Sequence, residues 1–149
     1  MINPRLNLHH VRTAYIAWHL ARESQLTSAQ CRKTLLAALL HDIGGLNEES
    51  RLQPISYYDN EFNNHTAVGA ELLATVPLLA PLKTIVRYHH IPWENGKGAS
   101  VNGVKTPKES HIIFLADRLD VLIAQYRTSD IITAKDEIID IISSGEDTL

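Results

Sequence analysis

The stretch "LLAALLHDIGGL", from Leu35 to Leu46, runs through six apolar residues into His41 and Asp42 and then meets Gly44 and Gly45. An apolar run of this kind reads as a helix buried against others, and the glycines supply the conformational freedom that a helix C-terminus often uses. The imidazole and carboxylate at its end set a problem. A buried charge without a partner is costly, and a metal ion is one of the few partners that satisfies both groups.

Outward from this helix, apolar residues recur at helical spacing through most of the chain. Leu8, Val11, Tyr15 and Trp18 mark one stripe, and Leu72, Val76, Leu79, Ile85 and Val86 mark others. Little strand is expected. The expected helices run from about Asn7 to Glu23, from an N-cap at Thr27 or Ser28 to the two glycines, and from His65 to Val76. Further helices follow from Leu78 to His90, Lys108 to Arg127 and Ile131 to Ile142. Pro77 separates the third from the fourth, whose first turn tolerates Pro81. Residues from Asn47 to Asn64 read as a long polar loop with room for one helical turn. The segment "IPWENGKGASVNGVKTP" carries three glycines and two prolines and reads as an irregular loop of a length that is usually functional. With no repeat or linker, residues 1–149 are expected to form one all-α domain, a bundle of about six helices.

Composition narrows the function classes. At 149 residues, 44% hydrophobic and 21% charged, the chain can bury a real core. A net charge of -3 and a pI near 6.2 give no footprint for duplex nucleic acid, although a small anionic substrate is compatible with them. Cys31 is the sole cysteine, so no intrachain disulfide forms, and no His or Asp signature beside it marks a reactive thiol. No apolar run is long enough to span a bilayer and no signal peptide is recognisable, so a cytoplasmic protein without a membrane partner is expected.

The eight histidines are more than packing requires. Helix ends converge in a bundle, and imidazoles and carboxylates from facing helices are how bundles build metal sites. Nitrogen with carboxylate oxygen suits iron, manganese or zinc, whereas magnesium and calcium prefer oxygen. Singly, each group has an ordinary reading: a helix-end His-Asp pair bonded locally, His65 in a first turn, "YHH" as a solvated helix end. The ordered set is more specific. It runs His, then His-Asp after an apolar helix, then His, then His-His, then "LADRLD" on a later apolar helix.

That set resembles the HD-domain superfamily of metal-dependent phosphohydrolases and, within it, the HD-GYP family known for cyclic di-GMP phosphodiesterases. The resemblance spans about His9 to Arg127. "HHVRT" resembles the opening His-x-x-Arg pattern with His9 and Arg12, and "AALLHDIGGL" the HD helix. "NNHTAVGAELL" is similar to the next histidine segment, "VRYHHIPWENGKG" to the paired-histidine helix and its glycine-rich loop, and "SHIIFLADRLDVLIAQYR" to the last signature helix, with Asp117 as its aspartate. The resemblance implies two divalent metal ions, iron or manganese first, with zinc, magnesium and nickel compatible. His9, His41, Asp42 and Asp117 would hold one; His65, His89 and His90 would hold the other, with Asp42 bridging and a hydroxide shared between the two. His41 and Asp42 would form the catalytic corner, and no side-chain nucleophile is needed. The implied reaction is hydrolysis of cyclic di-GMP or a related nucleotide.

Other residues have two readings each. Lys97, Lys105 and Arg127 are candidate phosphate contacts, although loop lysines are commonly just solvated. Asp120, three residues after Asp117, either orients a ligand or forms an ion pair. Trp93 either stacks on a nucleobase or caps the core. His10 is either a spare ligand or, lying about 100° round the helix from His9, a surface residue, and the surface position is the expected one; nothing ties His19 or His111 to the cluster.

The chain also departs from the family pattern. Gly45 stands where the family has lysine after "HDIG", Ile91 where a glutamate commonly follows the paired histidines, and Gly98, Ala99 and Ser100 where it has Gly-Tyr-Pro. Arg5 replaces the glutamate linked to a third metal, so two metals are expected. The closing "RPYR" is reduced to Tyr126 and Arg127, and "SSGEDTL" falls where a further helix is expected. These departures keep open an alternative: a signalling or nucleotide-sensing module that retains metal without turnover, joined to a protein partner or a second copy of itself. A di-iron oxygenase, also known in the superfamily, has no sequence feature in its favour.

Overall fold

The computed structural model describes residues 4–45 and 62–125, with helical backbone again at 135–136 and 139–140. Five helices follow one another within the two long segments: α1 Pro4–Glu23, α2 Ser28–Leu40, α3 Phe62–Ala74, α4 Lys83–Arg87 and α5 Lys108–Gln125. The expected sixth helix, 131–142, falls mostly outside the described residues, as does the 47–61 part of the expected polar loop. The all-α expectation holds: the described residues are mostly helical. The exception is a small ribbon pairing Ser100 with Lys105 and Val101 with Val104.

Local chemistry explains the boundaries. Thr27 caps α2, its side chain accepting from the Gln30 backbone while the Gln30 side chain accepts from the Thr27 N–H at 3.1 Å. This reciprocal box satisfies two donors that a helix start leaves free. The helix expected from Leu78 to His90 is instead broken into a 3-10 turn at Ala80–Leu82, which holds Pro81, and the short α4; the chain leaves helical geometry at Tyr88. The break has a use. On a continuing helix His89 and His90 would diverge by about 100°, whereas here their ring centroids are 4.2 Å apart. In the 91–107 loop, Asn102 and Gly103 have φ values of 50° and 78° and form the two-residue turn of the ribbon. Asn-Gly between short strands is a strong hairpin signal, because both turn residues need positive φ.

The core packs α1, α2 and α5 around Ala14, Ala17, Ala37, Ala38, Ile113 and Ala116, with Leu73, Leu82, Ile85 and Val86 joining from α3 to α4. Alanine at these crossings lets the helices approach closely. The apolar stripe of α1 therefore does not face the core: Leu8, Val11 and Tyr15 are 58%, 57% and 66% exposed, while Thr13, Ala14, Ala17 and Ala21 are buried. Leu72 and Val76, expected on a later stripe, are likewise exposed. In α2, Leu36 and Leu39 face outward and the helix is buried only on its Cys31, Thr34, Ala37 and Ala38 face. The Cys31 thiol donates to the Leu26 carbonyl. Gly44 is required for a different reason from the one expected. Among the described glycines only Gly96 and Gly103 have positive φ, but a Cβ at Gly44 would collide with the His65 carbonyl oxygen and the Gly69 backbone. The exit of α2 thus runs flush against the start of α3, bringing Asp42 and His65 together. No helix of the described residues is long and apolar enough to cross a membrane.

Candidate metal centre

His41 ends α2 and is fully buried; its Nδ1–H donates to the Ala38 carbonyl at 2.8 Å. His89, in the turn after α4, repeats the arrangement on the Val86 carbonyl at 2.7 Å. A carbonyl only accepts, so each ring carries its proton on Nδ1 when neutral and presents the Nε2 lone pair inward. Metal-binding histidines are usually oriented this way. The Nε2 atoms of His41, His89 and His10 are buried with no hydrogen-bond partner. Buried polar atoms in folded proteins are almost always partnered, so three orphaned nitrogens around one carboxylate fit a cation.

That carboxylate is Asp42, and its two oxygens face different ways. Oδ2 lies 3.2 Å from His41 Nε2 and 3.6 Å from His10 Nε2, whereas Oδ1 lies 3.5 Å from His65 Nε2 and 3.9 Å from His89 Nε2. His65 and His90 point their Nε2 atoms at one another across 3.1 Å. Two nitrogens at right angles on one ion with bonds of about 2.1 Å would be about 3.0 Å apart. Among the described residues two groups that could hold a metal emerge, His9, His10, His41 and Asp42, and Asp42, His65, His89 and His90, each with ligand atoms within 4.8 Å of one another. Asp42 belongs to both.

The α5 acids complete the surroundings. Asp117 Oδ1 lies 3.1 Å from His9 Nε2 and 3.6 Å from His41 Nε2. One turn on, buried Asp120 accepts His9 Nδ1–H at 2.8 Å and both the Nε and Nη2 of Arg12, the latter at 2.9 Å. Both readings of Asp120 are therefore realised at once: it orients His9 and it forms an ion pair.

Charge follows from these contacts. Burial opposes protonation of His9, but hydrogen bonds to Asp117 and Asp120 outweigh it and raise its pKa to about 9. His41 is also raised, because burial is overcome by the neighbouring Asp42 and Asp117. Despite their own burial, Asp42 is held well below the usual carboxylate range mainly by His41, and Asp117 is depressed by His41 and His9. On the other side burial prevails. His89 is lowered by burial and by the adjacent His90, and His90 is lowered to about 4 by burial, with His65 contributing. His9 and His41, on one side of Asp42, thus hold protons at neutral pH, whereas His89 and His90, on the other, offer bare nitrogens.

All the residues expected as ligands converge, with a correction at His10. The expected surface position fails: the side chain is 20% exposed and faces Asp42. The roughly 100° between neighbours in a helix is the cause: α1 packs against both α2 and α5, so His9 meets α5 while His10 meets the end of α2. Lys97 and Lys105 are exposed, and among the described residues no hydrogen bond or ion pair ties them to the cluster. Trp93 is 53% exposed with its ring edge-on to His111, whose Nδ1 donates to the Ile91 carbonyl. His19 sits beside Tyr15, away from the cluster. Gly45 is buried. Gly98 is buried because a Cβ there would strike the Pro92 carbonyl, so the glycine is kept by close packing. Tyr126 and Arg127 lie outside the described residues, and Arg5 outside those with described side chains.

The family model for the HD domain matches residues 8–122, and the chain belongs to the HD-domain family. HD domains bind divalent metal ions, in keeping with the two groups around Asp42. Over 116 residues the chain is 32% identical to the 3'3'-cGAMP-specific phosphodiesterase 1 of Vibrio cholerae serotype O1. The match covers 76% of this chain and 26% of that protein, so the chain spans about a quarter of its relative's length.

Proposed function

We propose that this chain is a metal-dependent phosphodiesterase of the HD-GYP kind that opens a cyclic dinucleotide at a dinuclear centre, in the cytoplasm. The observation that carries this reading is Asp42, whose two oxygens face two separate sets of imidazole nitrogens. His9, His41 and Asp117 would hold one ion and His65, His89 and His90 the other, with Asp42 between them; iron or manganese is the first expectation. Bound there, two metals would lower the pKa of water and stabilise charge on phosphoryl oxygens. The chain's own residues supply orientation. The Ala38 and Val86 carbonyls fix the rings of His41 and His89, and Asp120 fixes that of His9. Lys97 and Lys105, in the loop after His89 and His90, and Arg127 are the proposed phosphate contacts.

The relative's name supplies the first substrate to try, 3'3'-cGAMP, with cyclic di-GMP beside it. The test is elemental analysis of the purified chain followed by chromatography of both dinucleotides after incubation. Two ions per chain and a linear product that disappears in Asp42→Ala are expected. A fully metal-loaded chain that leaves both dinucleotides and simple phosphodiesters intact refutes the reading.

One observation favours a second reading. Gly45 is buried and brings no cation to the position where the family has lysine, and the guanidinium of Arg12 is committed to Asp120. A sensing module would bind metal and nucleotide without turnover and signal through a protein partner or a second copy of the chain. Calorimetric binding of a cyclic dinucleotide without product formation is its signature.

A further inference from the structure

We propose that His10 is an additional metal ligand, which gives the His9 and His41 side of the centre a third imidazole. The inference rests on the dinuclear reading above and extends it to a residue outside the implied ligand set. His10 Nε2 is buried and unpartnered. Its nearest acidic atom, Asp42 Oδ2, is 3.6 Å away, too far for a hydrogen bond. The ring is held edge-on to His41 at 5.2 Å and tilted to His9 at 5.5 Å, so it lies among imidazoles rather than against carbonyls or carboxylates that would satisfy it directly.

Geometry makes a shared ion the natural partner. Donors on one ion with bonds of about 2.1 Å lie about 3.0 to 4.2 Å apart, depending on whether they are adjacent or opposite. The ligand atoms of His9, His10, His41 and Asp42 already lie within 4.8 Å of one another, so shifts of a few tenths of an ångström close them on a common centre. With Asp117 3.1 Å from His9 Nε2, this side has more protein donors than the side of His65, His89 and His90, and its ion is the more firmly held. Three imidazoles also favour later transition metals over magnesium, whose preference is for oxygen.

The test compares the full chain with His10→Ala and His10→Gln, loaded with zinc, by chelator competition and X-ray absorption. Wild type should bind two ions of unequal affinity. In both variants the tighter ion should weaken by more than the roughly 10- to 100-fold that losing an outer-shell partner costs, while the other ion is unchanged. The imidazole scattering should also fall. Unchanged affinities with unchanged scattering in either variant that retains the wild-type circular dichroism overturn the proposal, as does a change confined to KM for substrate, which would mark a substrate contact. The fate of the enzymatic reading is separable: wild-type metal binding that weakens in His10→Ala without any hydrolysis supports the ligand and refutes only the phosphodiesterase. A wild-type chain that binds no metal overturns both.

Discussion

Replacing Asp120 tests whether the centre depends on the group behind its ligands. The carboxylate is 2% exposed, accepts the Nδ1–H of His9 and is forked by Arg12. In Asp120→Ala the His9 ring loses its orienting acceptor and the charge that keeps its nitrogens basic. Loss of such outer-shell partners costs about 10- to 100-fold in metal affinity, or about 1.4–2.7 kcal/mol. The upper part of that range is expected near pH 9, where a proton on His9 no longer competes with the ion, because no other acceptor holds His9 Nδ1 among the described residues; at neutral pH the loss is smaller, since removing Asp120 also makes His9 easier to deprotonate. Arg12 adds little to the loss. Its side chain is 47% exposed, so water takes over its guanidinium and the broken pair is worth no more than about 1 kcal/mol of stability. Asp120→Asn, which keeps an acceptor oxygen without the charge, should fall near the lower end. Competition with a coloured chelator, resolved for the two ions, measures this directly. Equal affinity in Asp120→Ala and wild type, or an equal loss at both ions, would refute the reasoning, since His9 faces one side of Asp42 only.

His9 must also surrender a proton to bind metal. With its pKa raised to about 9 by Asp117 and Asp120 against burial, metal loading at neutral pH should release protons, and affinity on that side should climb with pH towards about 9; a pH-stat titration reads both. The same shift stabilises the metal-free fold fully below the ordinary histidine value of 6.5, and that contribution is lost as pH rises towards about 9, so thermal melts of chelated protein should fall across that window. Gly44→Ala should lower stability by about 1–3 kcal/mol through overpacking and cost the ion on the His65 side, read by melting and elemental analysis. Thr27→Ala should cost about 1 kcal/mol of stability through the lost cap, with metal content unchanged because His41 sits at the opposite end of α2.

The candidate cluster was legible because its chemistry is compressed into helix ends. A His-Asp pair closing an apolar helix and two adjacent histidines before a glycine-rich loop have few competing explanations together, and the fold brings them to one place. Packing was less legible. Bulky apolar residues at helical spacing suggest a core face, but α1 uses Ala14, Ala17 and Ala21 for close approach and leaves Leu8, Val11 and Tyr15 outside. The same geometry turns His10 inward against the surface expectation, because α1 packs against two helices at once. The break at Tyr88 carried no helix-breaking residue of its own. By contrast Asn102 and Gly103 announced a hairpin that glycine and proline content alone had suggested was irregular.

The carbonyls that hold His41 and His89 have one further consequence. Ala38 lies in the last turn of α2 and Val86 in the last turn of α4, where backbone carbonyls run out of helical donors. Each imidazole is therefore a helix cap on one nitrogen and faces the metal groups on the other. A ring that swung to follow a larger or displaced ion would give up one of the bonds that close its own helix, so resistance to fraying in the last turns of α2 and α4 becomes resistance to distortion at the centre. Slow amide exchange in those two turns should track how firmly the rings are seated, a readout of the site taken from backbone that never touches an ion.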